Sequence, residues 1–335
     1  MEHRRRPRIF TWHIHGSYLY YLSQCNIDIY IPLGDPRQEG YIGRGTTFPF
    51  GDNVIEVPVG QVKDIVIDCI LFQTNRNYLA DQYEILSEEQ RGLPAIYLEH
   101  DPPQRVPTDT QHVVNSQTVT LVHVTPFNAL MWDNNGTPTA VIDHGVIAPA
   151  VSYTGDIPRG IVVINNLSER GRRLGYDIFH EVRKHVPLDL VGMNTEICGG
   201  LGEVLHPQLP AFISRYRFFF NPIRYTSLGL AVLEAMMIGI PVVGLATTEM
   251  VTVIRDCESG FLHTDIYYLI DRMKELIENP ALARRLGTAG RHAAMNRFSI
   301  ERFVRDWEEL IARVMQRYPV YEGVAELTTT GGNGI

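Results

Sequence analysis

Short apolar runs alternate along this chain with segments of helical period, and that alternation restricts it to one fold class. Residues 9–14, 27–32, 65–72, 95–99, 120–124 and 140–143 are such runs. Each has the length of a buried strand, and the helical stretches between them supply crossovers, so the pattern predicts a parallel sheet. A second series follows, with strands expected at 160–165, 188–193, 218–221 and 240–245 and helices at 175–185, 230–239, 265–278 and 280–297. Between the two series, residues 146–160 hold Pro149, Gly155, Pro158 and Gly160 and show no period, which marks a linker.

The expected architecture is therefore α/β with two Rossmann-like halves, residues 1–150 and 151–298. The last amphipathic segment, 299–316, opens on a Ser299 cap and carries Phe303, Trp307, Leu310 and Val314 on one face. It is read as a helix over 299–318, with 319–335 a frayed tail. A length of 335 residues suits two domains of ordinary size.

Lys and Arg number 30 against 38 Asp and Glu, a formal charge of −8, and no basic stripe runs through the chain, which argues against a nucleic-acid partner. The one dense basic run, Arg4-Arg5-Arg6 with Arg8, reads as a solvated tail and is the place for any peripheral contact with an anionic membrane face. No membrane helix or signal-peptide pattern occurs, so a cytoplasmic location is expected. Cys25, Cys69, Cys198 and Cys257 are scattered without a paired spacing and read as buried free thiols.

In open α/β sheets, ligands bind where strands run into helices. The richest such turn is N-P-I-R-Y-T-S-L-G-L-A-V-L-E-A-M from Asn221 to Met236. Gly229 lets the backbone approach a ligand as a helix begins, the free amides at Ser227, Leu228, Gly229 and Leu230 suit phosphate oxygens, and Glu234 is a carboxylate able to accept two ribose hydroxyls. An exposed helix glutamate is the alternative, weakened by its apolar neighbours Leu233, Ala235 and Met236.

This text, with the I-G-I-P-V-V-G and E-S-G-F-L that follow it, resembles the donor site of family 4 glycosyltransferases, and the resemblance continues through N-P-A-L-A-R-R-L-G to Phe298-Ser299 and Trp307. It covers residues 160–312, and the first half matches more loosely. It implies a GT-B fold, with the acceptor-side domain first, the nucleotide-sugar domain second and the C-terminal helix crossing back over the cleft. The second motif glutamate, which holds the ribose, falls on Glu234. The first, which contacts the donor sugar, falls on Thr226. Glu249 is a candidate replacement by position, or else a helix-start residue. The family's diphosphate-binding lysine falls on Arg170, followed by Gly171. Its earlier arginine is replaced by Asn165-Asn166, leaving Arg172 or Arg173 to supply the second charge.

In the first half, W-H-I-H-G-S places Gly16 at a strand-to-helix turn, matching the family's glycine loop near the diphosphate. His13 and His15 lack a third ligand for a metal, and strand alternation would put both on one face. The turn I-Y-L-E-H-D-P-P ends a strand at Glu99, and the resemblance gives His100 the role of the histidine beside the donor sugar. D-H-G-V at 143–146 reads as structural. No D-x-D occurs, so no metal cofactor is expected.

The resemblance implies a retaining glycosyltransferase acting on a nucleotide sugar and a carbohydrate or glycolipid acceptor in polysaccharide or glycoconjugate assembly. A catalytically silent nucleotide-sugar binding or scaffold protein, suggested by Thr226 and the missing arginine, and a sugar-nucleotide epimerase remain open.

Overall fold

The computed structural model describes residues 5–36 and 38–317. The expected tail at 319–335 and Arg4 of the basic run lie outside these. Seven parallel strands form the first sheet: β1 (Arg8–Thr11), β2 (Asp28–Leu33), β3 (Val54–Pro58), β4 (Cys69–Phe72), β5 (Ala95–Glu99), β6 (Val119–His123) and β7 (Thr139–Val141), in the order β3-β2-β1-β4-β5-β6-β7. The second has β8 (Ile157–Val163), β9 (Leu188–Val191), β10 (Tyr216–Asn221), β11 (Val242–Leu245) and β12 (Gly260–His263), in the order β12-β11-β10-β8-β9. The strand order reverses between β1 and β4 in one sheet and between β8 and β10 in the other. Both reversals open crevices at the carboxyl ends of the strands.

Local differences from the expected elements have local causes. β1 stops at Thr11 because the chain turns there, with His13 Nδ1 2.6 Å from the Gly43 carbonyl. Strand alternation therefore does not reach His13 and His15. β8 begins at Ile157, inside the stretch read as linker, and β10 shifts register between Tyr216 and Phe218 where it pairs with this proline-containing segment. β3 and β12 escaped the pattern because both are short edge strands, one ending in proline and the other opening on glycine.

The basic run is not a free tail. Arg8 opens β1 and donates to Asp68 through Nε at 3.2 Å and Nη2 at 3.1 Å, with Arg5 on the same carboxylate at 2.9 Å. Cys25, Cys69 and Cys198 are buried, but Cys257 is exposed, in a turn where its φ of 61° keeps it outside the sheet. No helix among the described residues is long and apolar enough to cross a membrane.

The largest apolar cluster runs through the junction of the two halves, joining Tyr18 and Tyr21 of the first to Leu228 and Leu233 of the second and to the last helix, Ile300–Gln316. That helix lies on the first half: Trp307 is fully buried and its Nε1–H donates to the Tyr18 hydroxyl at 3.1 Å. The chain segment entering the second half is bound to the same structure. Val146 N–H donates to the Phe298 carbonyl at 2.9 Å, and Arg302 donates to the Asp143 carbonyl at 2.9 Å. Trp307→Ala removes a fully buried aromatic and its hydrogen bond. It should cost about 3–5 kcal/mol in urea unfolding, and limited proteolysis should cut first near residue 300.

Candidate active site between the two sheets

A cavity of about 610 Å³ lies between the carboxyl ends of the two sheets, of a size that suits a small-molecule ligand. The first half contributes the turn after β1, the loop around Arg44 and Phe48, and the end of β5; the second contributes the turns after β8, β9 and β10. Of the residues singled out in the sequence, Gly16, His100, Arg170, Thr226, Ser227, Leu228, Gly229, Leu230 and Glu234 all line it.

Gly16 starts the helix Gly16–Leu22, and a Cβ there would lie 2.3 Å from the Phe48 ring, so this position admits no side chain without moving Phe48. Gly229 is different. It precedes the helix Leu230–Ile238 with a φ of −71°, and a Cβ on it would meet nothing within 4 Å. The protein itself therefore does not demand glycine there, and the open space above it belongs to the cavity. No side chain caps this helix, so its first amides are left without a side-chain acceptor.

Arg170 ends the helix Leu167–Arg170 and lines the cavity as an exposed residue, its side chain without a hydrogen-bond or ion-pair partner among the described residues. Burial, and the neighbouring charge of Arg173, press its pKa below the ordinary arginine value, while Asp101 opposes that shift. It stays protonated all the same. Arg172 is exposed and paired with Asp177, which also takes Arg224. Arg173 does not line the cavity, and its Nη1 is buried without a partner; it acts on the site as a nearby positive charge rather than as a contact.

His100 is held by a chain of hydrogen bonds. Gln73 Nε2 donates to Thr11 Oγ1 at 2.9 Å and to the Trp12 carbonyl at 2.8 Å, and a carbonyl can only accept. The amide oxygen of Gln73 must therefore face His100, whose Nε2 lies 3.1 Å away and carries the proton. That leaves Nδ1 as the acceptor. Burial, with repulsion from His15 and His144, pushes the His100 pKa well below 6.5, so the ring is neutral at pH 7. His15 packs on it with ring centres 3.9 Å apart.

Glu234 is buried in its helix, where Oε1 accepts from the Tyr21 hydroxyl at 2.8 Å and lies 3.2 Å from His206 Nε2. Oε2 has no partner among the described residues. Burial and the Glu234 charge push the Tyr21 pKa upward, so the hydroxyl is a permanent donor. Tyr21 and His206 had no sequence signal. Tyr21 lies in an aromatic run with helical spacing, and Tyr18, Leu19 and Tyr21 of that run are indeed buried, while Tyr20 stacks on Phe48 with ring centres 6.0 Å apart.

Glu249 does not replace the missing glutamate. It caps the helix Met250–Val253, is 2% exposed and faces away from the cavity. Its Oε2 accepts from Phe127 N–H at 3.0 Å, and Oε1 accepts from Arg297 at 3.0 Å; Arg297 also binds Asp143 at 2.8 Å. It is a structural tie between the halves, held by the partly exposed Arg297. Thr226 stands alone at the motif position, its hydroxyl donating to Asp101 Oδ1 at 3.2 Å.

Residues 162–279 match the model of the family described as glycosyl transferases group 1. The whole chain resembles solved two-sheet structures. Sucrose-phosphate synthase from Thermosynechococcus elongatus superposes with a TM-score of 0.70 at 15% identity, over 93% of this chain and 100% of that one. HepE from Anabaena, in complex with UDP and glucose, gives 0.66 at 13% identity, over 92% and 100%. TarM from S. aureus gives 0.56 at 14% identity, over 72% and 55%. No curated protein matches in sequence. The architecture is thus GT-B, α/β throughout, and the second half carries a group 1 glycosyl transferase domain. Residues 162–279 are of the glycosyltransferase class, set in a GT-B framework that spans both halves.

Two predictions follow from the charges. Double-mutant cycles pairing Glu249→Gln with Arg297→Gln should show a coupling of about 0.5–3 kcal/mol in unfolding experiments. Burial also depresses the pKa of His100, and pushes His123 and His144 down to about 4. The unfolded chain therefore binds protons below pH 6.5 that the native state refuses. Stability should fall as pH drops from 6.5 towards 4, each histidine adding up to about 1.4 kcal/mol per pH unit. Urea unfolding at pH 7.5, 6 and 5 checks it, and a flat profile would refute it.

Proposed function

We propose that the chain transfers a sugar from a nucleotide-sugar donor to a carbohydrate or glycolipid acceptor, with retention of anomeric configuration and without a bridging metal ion. The observation that carries this reading is Arg170, a guanidinium lining the cavity with no hydrogen-bond or ion-pair partner among the described residues, on the same cavity as a helix start whose amides lack a side-chain acceptor. An unpaired cation next to such amides is a site for a diphosphate. Glu234, with Oε2 free, stands four residues into the same helix, where it suits the ribose. The HepE structures hold UDP or UDP-glucose, and the pneumococcal transferase GtfA holds UDP and GlcNAc. A uridine diphosphate donor is the first to test.

Transfer breaks the bond between the anomeric carbon and a diphosphate oxygen, and the electron pair leaves on that oxygen. The acceptor oxygen bonds to the same carbon, on the face the diphosphate leaves, and passes its proton to the departing diphosphate oxygen. Arg170 and the amides at Ser227–Leu230 meet the charge that develops on the diphosphate, in a preorganised arrangement that needs no metal. His100, neutral with Nδ1 open, accepts a hydrogen bond from the sugar. The sign of charge in the site thus matches the leaving group, and retention follows the resemblance of residues 160–312. The silent-scaffold reading retains one observation in its favour, the absence of a carboxylate at Thr226. Slow hydrolysis of the nucleotide sugar without acceptor would count against it.

Thermal shift against UDP-, GDP-, ADP- and TDP-sugars, with and without chelator, should show one stabilising donor whose effect survives the chelator. Arg170→Ala and Glu234→Ala should each weaken that donor by about 10-fold to 100-fold, the range for losing a hydrogen bond to a charged group. Full affinity in both variants would overturn the site.

A further inference from the structure

Besides Glu234, whose Oε1 is already bonded, the cavity holds only two carboxylates among the described residues, Asp101 and the exposed Glu203. Asp101 follows His100 at the end of β5 and is fixed on both sides. Its N–H donates to Glu99 Oε1 at 2.9 Å, and its carbonyl accepts from Trp132 Nε1 at 2.8 Å. Glu99 is itself held by His112, whose Nε2 lies 3.1 Å from Glu99 Oε2. From this pinned backbone the Asp101 side chain extends to Thr226 of the other half. Oδ1 accepts the Thr226 hydroxyl, and Oδ2 has no partner among the described residues. Asp101 also lies near enough to Arg170 and His15 to favour their charged forms.

We propose that Asp101 is the carboxylate that holds the hydroxyls of the donor sugar, reaching from the first domain into the place that Thr226 leaves without an acid. This rests on the donor-site reading above. His100, Asp101, Arg170 and Thr226 line one cavity, so a sugar attached to a diphosphate at Arg170 and flanked by His100 comes within reach of Asp101. A carboxylate offers acceptor lone pairs to two adjacent hydroxyls at once, which a threonine hydroxyl, with a single donor and already turned to Asp101, does not. The Thr226 bond orients Oδ1 and leaves Oδ2 for the ligand.

Placing the acid on the opposite domain has a consequence. The nucleotide contacts, Arg170 and Glu234, belong to the second domain, whereas the sugar contacts, His100 and Asp101, belong to the first. Nucleotide and sugar are therefore recognised by different halves, and the sugar is gripped only when the halves meet as they do here. Removing the Asp101 charge should therefore cost a nucleotide sugar affinity and should cost a nucleoside diphosphate none.

Calorimetric titration separates the two. Wild type, Asp101→Asn and Thr226→Val are each titrated with the donor found in the panel and with the matching nucleoside diphosphate. Asp101→Asn should bind the nucleotide sugar about 10-fold to 100-fold more weakly, the range for losing hydrogen bonds to a charged group, with diphosphate affinity unchanged. The diphosphate arm also reports that the variant is folded. Thr226→Val, which removes the orienting hydroxyl, should show the same selective loss. Full nucleotide-sugar affinity in Asp101→Asn, or an equal loss of both ligands, overturns the assignment. Failure of wild type to bind any diphosphate or nucleotide sugar would sink the donor reading itself, a result distinct from either.

Discussion

The hydrogen bond from Trp307 to Tyr18, buried with Phe303 between the last helix and the first domain, pins the chain that leaves the second sheet onto the first and so helps hold the two sheets at their distance. Tyr18 belongs to the helix that starts at Gly16, and that helix also carries Tyr21, which reaches Glu234. One short helix is thus anchored to the C-terminal helix on one side and to Glu234 of the second half on the other. A displacement of the Trp307 contact would be felt at Glu234 without any chain passing through the cavity. Arg297, binding Asp143 and Glu249 together, ties the far edge of the same junction.

With the sheets held at that distance, charge is distributed unevenly across the cavity. Most arginines near the junction are neutralised: Arg172 and Arg224 by Asp177, Arg297 by Asp143 and Glu249. Arg170 is left without a partner, with Arg173 close by. Leaving an arginine partly desolvated and unpaired is unfavourable in the empty protein, since burial disfavours the charged form. Arg170 lines the cavity at its rim, where an anionic ligand would supply the partner that the protein does not.

The second half was far more legible in sequence than the first. Residues 221–239 combine a strand end, a helix start and a glycine terminator in local text, so the position of Glu234 and of the amides at 227–230 follows from short-range pattern alone. The roles that sequence misassigned are those set by tertiary partners. Glu249 has the right position and residue type for the cavity, but Arg297 and the Phe127 amide, 48 and 122 residues away, draw it into the junction. Tyr21 reads as core by its spacing, and its ring is core; only its hydroxyl reaches Glu234, a distinction that periodicity does not carry. β3 and β12, lying at sheet edges with one proline and one glycine at their ends, lack the central-strand signature altogether.

The substitution at position 226 shows how a missing motif residue can mislead. Read along the chain, loss of the first glutamate removes an acid from the donor site. In three dimensions, the threonine hydroxyl turns to Asp101, so the acid at that spot arrives from a turn 125 residues earlier and from the other sheet. A glutamate at 226 would place two carboxylates against each other across the cavity, and like charges at that separation repel. Thr226 and Asp101 therefore make sense as a pair: a short neutral donor on one domain permits the acid on the other, and neither residue can be interpreted from its own segment alone.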